Sequence, residues 1–354
     1  MSDLTRERRG ILTKRLVSCL GALLMVASAA LAPGLTAPAH AATSLVGAGS
    51  SFDFPFFDKA FRVYQSQKGV SINYQPIGSG AGIQQFAAKT VDFGATDVPA
   101  SPADLKADFN NTAQIPVTLG GIAVSYNIPG VKTGLHLTGH VIADIYLGYV
   151  TKWDDKSIKK LNPKVKLPSL QITPVYRSDG SGTSYGFTDY LSKIDDAWRG
   201  RVGTSKLPPW PTGVGQKGNQ GVAATVQGTA GAVGYVELAY VLQNHMTYAA
   251  IQNRSGKWVT PSLSSVAAAA AAFPKVSQRN FSIADGKGAK VYPIATYSWI
   301  LLYKTQTDKT KGKALVSLFT WMLTSGQKFA KQLQYVPLPG TVSKVGVSNL
   351  KTIH

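Results

Sequence analysis

The stretch ITPVYRSDGSGTSYGFTDYL, residues 172–191, is the most informative part of the sequence about the fold. Its first part, Ile172 to Tyr176, alternates as a β-strand does, and Ser184 to Leu191 has the spacing of a helix with one apolar face. A polar, glycine-rich loop joins the two. A strand, a short loop and a helix in this order are typical of α/β proteins, whose ligands bind at the carboxyl ends of the strands.

The same order recurs on both sides of this stretch. Predicted strands lie at 45–46, 70–74, 91–94, 122–126, 230–235 and 297–303. Predicted helices lie at 56–64, 83–89, 141–146, 237–243, 267–272 and 315–323, and Ser101 is predicted to cap a helix that begins at Pro102. Regular alternation of this kind predicts an α/β fold with mostly parallel sheets.

Length, composition and charge exclude wholesale disorder and argue against a general nucleic-acid binder. The chain has 354 residues, which favours two domains at about 150 residues each. Of these residues 44% are hydrophobic, which is enough for real cores. The formal net charge of +19 comes from 37 basic and 18 acidic residues, and the basic ones are spread singly instead of in blocks. The charge therefore suggests an anionic ligand or surface without saying which.

The first 41 residues have the features of a cleaved secretory signal peptide. A basic start is followed by the apolar, alanine-rich run Leu16 to Leu31 and by small residues at Ala39-His40-Ala41. A membrane anchor is the alternative, but Gly21 and later prolines keep the run below about 18 strongly apolar residues. The pair Arg8-Arg9 faintly resembles a twin-arginine signal. Cys19 is the one cysteine, so the mature chain would form neither a disulfide nor a cysteine metal site.

Three glycine-rich polar loops have the composition of an anion site. They are Gly49–Phe52, Gly78–Gly80 and Arg177–Ser184, and each follows a predicted strand and precedes a predicted helix. Small residues let backbone N–H groups approach an anion, helix starts add favourable partial charge, and hydroxyls add donors. The same residues are common caps and turn formers, so the pattern alone leaves both interpretations open. Asp97, just after the strand at 91–94, is either a solvated capping acid or an acceptor for a protonated ligand.

Other motifs give weaker signals. The string at 213–218 matches a dinucleotide-binding fingerprint, but it follows a proline-rich segment and no predicted strand, so a loop is predicted there. His136 and His140 have metal-like spacing, but we expect them in a loop around Thr138-Gly139 and expect no metal or other cofactor. No nucleophile elbow surrounds Ser79 or Ser181, which argues against a hydrolase.

Several blocks of the sequence resemble the phosphate-binding proteins of bacterial ABC phosphate importers. They occur in that family's order, from about Leu45 to Leu338, and the run R-x-D-G-S-G-T-S is the most specific of them. The blocks are LVGAGSSF (45–52), YQPIGSG (74–80), VDFGATD (91–97), DIYLG (144–148), KWDD (152–155), RSDGSGTS (177–184) and GAVGYVE (231–237).

The resemblance implies a type II periplasmic binding fold, in which two α/β lobes are joined by a two-strand hinge and close on one anion. We expect residues 42–126 and 293–354 to form lobe I and residues 127–292 to form lobe II. The crossings between lobes are expected near 127–130 and 290–295.

The resemblance also implies the residues that bind phosphate. Asp97 would accept a hydrogen bond from a phosphate proton and repel sulfate, which has none. Asp179 would orient the arginine, and Ser51 stands where the family often has threonine. The implied ligand-binding residues are Ser51, Phe52, Ser79, Asp97, Arg177, Ser181, Gly182 and Thr183.

The function implied is that of a periplasmic, monomeric receptor that delivers inorganic phosphate to the membrane permease and ATPase complex of an ABC importer. On this interpretation the protein is not an enzyme, needs no cofactor and binds no nucleic acid. A receptor for another tetrahedral oxyanion such as arsenate is the main alternative. A secreted phosphatase and a basic protein that binds nucleic acid through its charge are further alternatives from different classes.

Overall fold

The computed structural model describes residues 43–354, and the predicted signal peptide lies outside these described residues. The strands are β1 Ser44–Gly49, β2 Ser71–Gln75, β3 Phe93–Thr96, β4 Thr112–Tyr126, β5 His136–Leu137, β6 Thr173–Arg177, β7 Val214–Gln216, β8 Ala232–Glu237, β9 Thr247–Tyr248, β10 Ala250–Gln252, β11 Trp258–Val259 and β12 Ala295–Tyr303. The helices are α1 Phe54–Lys68, α2 Ser79–Ala87, α3 Pro102–Leu105, α4 Gly139–Leu147, α5 Lys156–Leu161, α6 Gly182–Ile194, α7 Asp196–Arg201, α8 Gly218–Gly228, α9 Leu238–Gln243, α10 Leu263–Ala272, α11 Lys309–Leu323 and α12 Gly340–Leu350. None of these helices has the length and apolarity that crossing a membrane requires.

The strands form one large mixed sheet and one small sheet. In the large sheet the order is β2-β1-β3-β12-β4-β8-β6-β7, with β9 paired to β4, and the small sheet has the order β11-β10-β5. Pairing is parallel within β2-β1-β3 and within β8-β6-β7, but β12 and β4 run antiparallel to their neighbours. The expectation of mostly parallel sheets is therefore wrong at the centre of the large sheet, because the antiparallel strands β12 and β4 lie between the two parallel groups.

Strand β4 changes its partner along its length. Its first part, from Thr112 to Gly121, pairs with β12, and its last part, from Ile122 to Tyr126, pairs with β8. At the change of partner the Ile122 N–H donates to the Ile294 carbonyl at 2.8 Å, just before β12 begins. Two adjacent chain segments therefore connect the two parallel groups of strands.

Only the last third of β4 was predicted, because Pro116 and the pair Gly120-Gly121 interrupt the strand pattern. Pairing on both sides overrides that local preference. The register shifts between Ser298 and Trp299 of β12, opposite this proline, and such a bulge accommodates a residue without an N–H group. Each of the other predicted strands and helices overlaps an observed element.

The residues around the two histidines are ordered into elements, so the loop expected there is wrong. His136 lies on β5 and stacks on Trp258 of β11 with ring centroids 4.2 Å apart. His140 lies in α4, and its Nδ1 atom is 2.8 Å from Asp195 Oδ2. The two rings therefore have separate structural partners.

Close packing of α2 on β1 places the second glycine-rich loop beside the first. At Gly82 of α2 a Cβ atom would come within 2.3 Å of the Gly49 Cα and 2.7 Å of the Ala48 carbonyl oxygen. Both are backbone atoms, which cannot move aside as a flexible side chain can. A side chain at this position would push the helix, with Ser79 at its start, away from the strand.

We expect Gly82→Ala to destabilise the fold and Gly200→Ala to leave it intact. Gly200 lies in α7 with nothing within 4 Å of its would-be Cβ, so alanine there should change the free energy of unfolding by less than about 1 kcal/mol. Overpacking at Gly82 should lower that free energy by about 2 kcal/mol or more. Urea unfolding of both variants measures the difference, and equal stability would show that α2 does not depend on this contact.

Candidate functional site

The three glycine-rich loops meet at the carboxyl ends of their strands. Ser51 and Phe52 follow β1, Ser79 begins α2, and Arg177 ends β6. The second and third loops are joined directly, since the Gly80 N–H donates to the Gly180 carbonyl at 2.7 Å. All eight residues implied as ligand-binding are brought together, and all are buried: Ser51, Phe52, Ser79, Asp97, Arg177, Ser181, Gly182 and Thr183.

Ser79 links three separate segments of the chain. Its Oγ atom accepts hydrogen bonds from the Asp97 N–H at 3.3 Å and from the Gly182 N–H at 3.1 Å. Gly182 is the first residue of α6, whose N-cap hydroxyl on Ser181 accepts from the Ser184 N–H at 3.0 Å. The start of this helix therefore faces the hydroxyl of the second loop.

Arg177 is held by Asp179 through two hydrogen bonds. Its Nε and Nη2 atoms donate to the two carboxylate oxygens of Asp179 at 2.7 and 2.5 Å. Burial by itself raises the pKa of Asp179, but hydrogen bonds and charge from Arg177 outweigh this and leave the pKa lower than usual. The bidentate pair fixes the plane of the buried guanidinium, whose Nη1 atom lies 3.4 Å from Thr183 Oγ1.

Asn219 is a site residue that the sequence analysis missed. Its Nδ2 atom donates to Ser51 Oγ at 3.1 Å and to Thr183 Oγ1 at 3.0 Å, and its own N–H donates to Ser51 Oγ at 3.0 Å. Asn219 is the second residue of α8, which follows β7 after the single residue Lys217. The loop predicted at 213–218 is therefore wrong, because this segment has the same strand, glycine and helix order as the other three. That order was the available signal, and the proline-rich context before it was misleading.

Hydrogen-bond counting shows what three of the hydroxyls can do. Ser51, Ser79 and Thr183 each accept from two N–H groups of the protein. A hydroxyl has two acceptor lone pairs and one hydrogen, so these three keep their hydrogens to donate. Phe52, by contrast, donates its N–H to Ser50 Oγ at 2.9 Å in this structure. Three free hydroxyl donors beside a buried guanidinium form a site suited to an anion.

Asp97 is the exception in this set of donors. Its Oδ1 atom accepts from Ser50 Oγ at 2.5 Å and from Ser298 Oγ at 2.9 Å. Burial raises the pKa of Asp97 to about 6, although these hydroxyls and the charge of Arg177 act to lower it. Its Oδ2 atom lies against Gly182, where an added Cβ would come within 2.6 Å. A carboxyl with one oxygen left toward the helix start can accept a hydrogen bond from a protonated ligand.

Within residues 43–354, no group of three or more histidine, cysteine, aspartate or glutamate residues is placed to hold a metal ion.

Comparisons with known proteins show which proteins the chain resembles in sequence and in fold. A family model described as a PBP superfamily domain matches residues 36–325. The phosphate-binding protein PstS of Xylella fastidiosa (strain 9a5c) is 44% identical over 301 residues, covering 84% of this chain and 82% of that protein. The phosphate-binding protein PstS of Haemophilus influenzae is 41% identical over 320 residues, covering 90% of this chain and 95% of that protein. The solved structure of a high-affinity periplasmic phosphate-binding protein bound with phosphate superposes with a TM-score of 0.70 at 18% identity, covering 86% and 92%.

The raised pKa of Asp97 leads to a prediction for the anion-free protein. A carboxyl whose pKa rises on folding stabilises the fold most below its unfolded pKa near 3.8, and this contribution is lost as the pH rises to about 6. An asparagine side chain cannot titrate. Between pH 4 and pH 7, Asp97→Asn should therefore lose roughly 2 to 3 kcal/mol less unfolding free energy than the wild type. Denaturant unfolding at several pH values in phosphate-free buffer measures this, and parallel curves for the two proteins would contradict it.

Proposed function

This chain belongs to the family of the phosphate-binding proteins PstS, within the PBP superfamily, and from this premise we propose that it binds inorganic phosphate and delivers it to an ABC-type importer. Its fold is the type II periplasmic binding fold implied by the sequence. The single observation that carries the proposal is the set of three buried hydroxyls, those of Ser51, Ser79 and Thr183, that keep their hydrogens for a ligand.

In the proposed complex, phosphate lies among the carboxyl ends of the strands. The hydroxyls of Ser51, Ser79 and Thr183 donate to its oxygens, and Arg177 supplies charge. The N–H groups of Gly182 and Phe52 are engaged by Ser79 and Ser50 in this structure, so the start of α6 contributes through its helix dipole. Hydrogen bonds to a charged group in a water-free site are worth about 1.5 to 3 kcal/mol each, so a few of them suffice for tight binding.

Asp97 gives the site its selectivity in this proposal. Phosphate near neutral pH keeps at least one proton, and the free oxygen of Asp97 accepts its hydrogen bond. Sulfate has no proton, so it would place an oxygen lone pair and a negative charge against the carboxylate. An unmatched buried charge costs on the order of several kcal/mol, enough to reject sulfate by several powers of ten. Arsenate has the same protonation pattern as phosphate, and the same contacts accommodate it.

We propose that residues 42–126 and 293–354 form one lobe and residues 127–292 the other, with the anion enclosed between them. The change of partner within β4, between Gly121 and Ile122, and the adjacent Ile122–Ile294 hydrogen bond support a hinge close to the boundaries proposed at 126 and 293. Contacts across the proposed cleft include the Gly80–Gly180 hydrogen bond and an ion pair in which Lys206 Nζ lies 2.9 Å from Asp104 Oδ1. Closure would exclude water and form the surface that the permease reads.

The partners and location follow from the same proposal. The closed protein is a monomer that docks on the permease and ATPase complex of an importer, after export to the periplasm through its signal peptide. It acts by binding without chemical turnover. Its basic surface binds no nucleic acid specifically, so any such binding should fall steeply with salt while phosphate binding changes little.

Calorimetric titration of the anion-free mature chain tests the proposal. We expect one phosphate per chain and at least about a thousandfold preference over sulfate, because Asp97 repels an unprotonated anion. In Asp97→Asn this preference should shrink by about tenfold or more, since an amide can donate to sulfate. Absence of phosphate binding by the folded wild-type protein would refute the function, and equal losses for both anions would refute the role of Asp97.

Asn219 provides a second test, because it orients two of the hydroxyls. In Asn219→Leu the oxygens of Ser51 and Thr183 lose its amide hydrogens and are free to turn away from the anion. We expect phosphate affinity to fall about 10- to 100-fold. Circular dichroism should show an intact fold, and unchanged affinity would mean that the hydroxyls are oriented by other groups.

A further inference from the structure

A second buried carboxyl, that of Asp53, lies behind Asp97 and does not line the proposed anion site. Asp53 is the N-cap residue of α1, where aspartate commonly accepts a hydrogen bond from the first helical turn. Here its side chain makes no such bond. Its Oδ2 atom lies 2.5 Å from Ser298 Oγ, and within the described residues its Oδ1 atom has no hydrogen-bond partner. Its carboxyl is thus directed into the protein beside the site.

The contacts of Ser298 with Asp53 and Asp97 need one more hydrogen than the serine hydroxyl supplies. Ser298 Oγ contacts both Asp53 Oδ2 at 2.5 Å and Asp97 Oδ1 at 2.9 Å, and a hydroxyl has one hydrogen. The nearby Ser50 hydroxyl accepts from the Phe52 N–H and gives its hydrogen to Asp97. If both carboxyls were ionised, one contact of Ser298 would place two oxygens together without a hydrogen between them. Two negative charges would also be buried on either side of one hydroxyl.

The proton belongs on Asp53 because Asp97 is the better stabilised anion. Asp97 receives hydrogen bonds from Ser50 and Ser298 and faces the charge of Arg177. Burial, and then the charge of Asp97, raise the pKa of Asp53 well above its usual range. The nearby Ser298 and Ser50 hydroxyls and the backbone act in the opposite direction and are outweighed.

The groups that surround Asp53 on neighbouring elements add no positive charge. They are the phenols of Tyr74 on β2, Tyr240 on α9 and Tyr335 before α12, each with a pKa raised by burial and therefore neutral. The carboxyl of Glu237, at the end of β8, is buried as well, and burial raises its pKa well above the usual range.

We propose that Asp53 carries a proton at neutral pH and, through Ser298, holds Asp97 in the ionised form that accepts a hydrogen bond from the ligand. The Asp53 hydroxyl donates to Ser298 Oγ, and the Ser298 hydroxyl donates to Asp97 Oδ1. This leaves Asp97 Oδ2 to accept from phosphate, so this inference rests on the proposed function. Asp53 is a positioning residue, and it limits the pH range of binding, because its ionisation would reverse the hydrogen bond of Ser298.

Carbon-13 spectra of the carboxyl groups test the proton directly. Labelling aspartate alone keeps Glu237 out of the spectrum, and Asp53→Asn and Asp97→Asn assign the two signals. We expect the Asp53 signal to be that of a protonated carboxyl at pH 7 and the Asp97 signal to be ionised when phosphate is bound. An ionised Asp53 at pH 7 would overturn the proposal. The anion-free protein gives the same information about Asp53 even if phosphate does not bind, so this failure is distinct from failure of the proposed function.

Phosphate titrations at increasing pH test the consequence. In Asp53→Asn the amide N–H replaces the carboxyl hydrogen as the donor to Ser298 and cannot ionise. Dividing the phosphate dissociation constant of the wild type by that of Asp53→Asn at each pH removes the effect of phosphate's own titration. We expect this ratio to stay within about threefold at pH 7, and the wild type to weaken relative to the variant above the pH at which the Asp53 signal titrates.

A matched control is Asp58→Asn, which removes an exposed carboxylate paired with Arg62 and should leave the pH profile unchanged. A tenfold loss of affinity in Asp53→Asn at pH 7, with an unchanged melting temperature, would show that the charge of Asp53 is needed and would overturn the proposal. If Asp53→Asn does not fold, the Asp53 signal is assigned as the aspartate signal, other than that of Asp97 itself, that shifts most in Asp97→Asn, because only Ser298 separates the two carboxyls.

Discussion

The whole site depends on the exclusion of water from a dense set of polar groups. When polar atoms are buried, each hydrogen must go to a particular acceptor, and an unmatched group carries a large energetic penalty. Donors from Asn219 and Arg177 and the N–H groups of Asp97 and Gly182 fill the lone pairs of the site hydroxyls, so those hydroxyls can act only as donors. Asp97 is the complement, because it can accept but cannot donate once ionised. The proposed selectivity for a protonated anion rests on this division of roles.

Local sequence was sufficient to predict the parts of the site that repeat one pattern. The loops around Ser51, Ser79 and Arg177 each follow a strand and start a helix, and the structure brings them to one place. Asn219 has the same setting but was missed, because the prolines before it resemble a loop. Asp53 looks locally like an ordinary helix cap, and only the three-dimensional approach of Ser298 shows that its carboxyl has another partner.

The centre of the sheet could not be predicted for a similar reason. The first part of β4 contains a proline and two adjacent glycines, which are poor strand residues when considered alone. Its position between β12 and β8, and a register shift beside the proline, decide the outcome. Non-local pairing of this kind leaves no trace in the alternation of apolar residues along one segment. The parallel strands β1, β2, β3, β6 and β8 are each followed closely by a helix, and each overlaps a predicted strand, whereas the edge strand β7 was predicted as a loop.

The burial of the site also has a kinetic meaning. In the proposed closed complex, an anion among Ser51, Ser79 and Thr183 cannot leave by a stepwise exchange with water, because these side chains are buried. It can leave only after the hydrogen bond between Gly80 and Gly180 and the ion pair between Asp104 and Lys206 have broken. The residence time of the ligand is therefore the lifetime of the closed protein. If the protein has the proposed two lobes and membrane partner, a partner that holds the lobes apart would determine when the ligand is released without contacting the ligand itself.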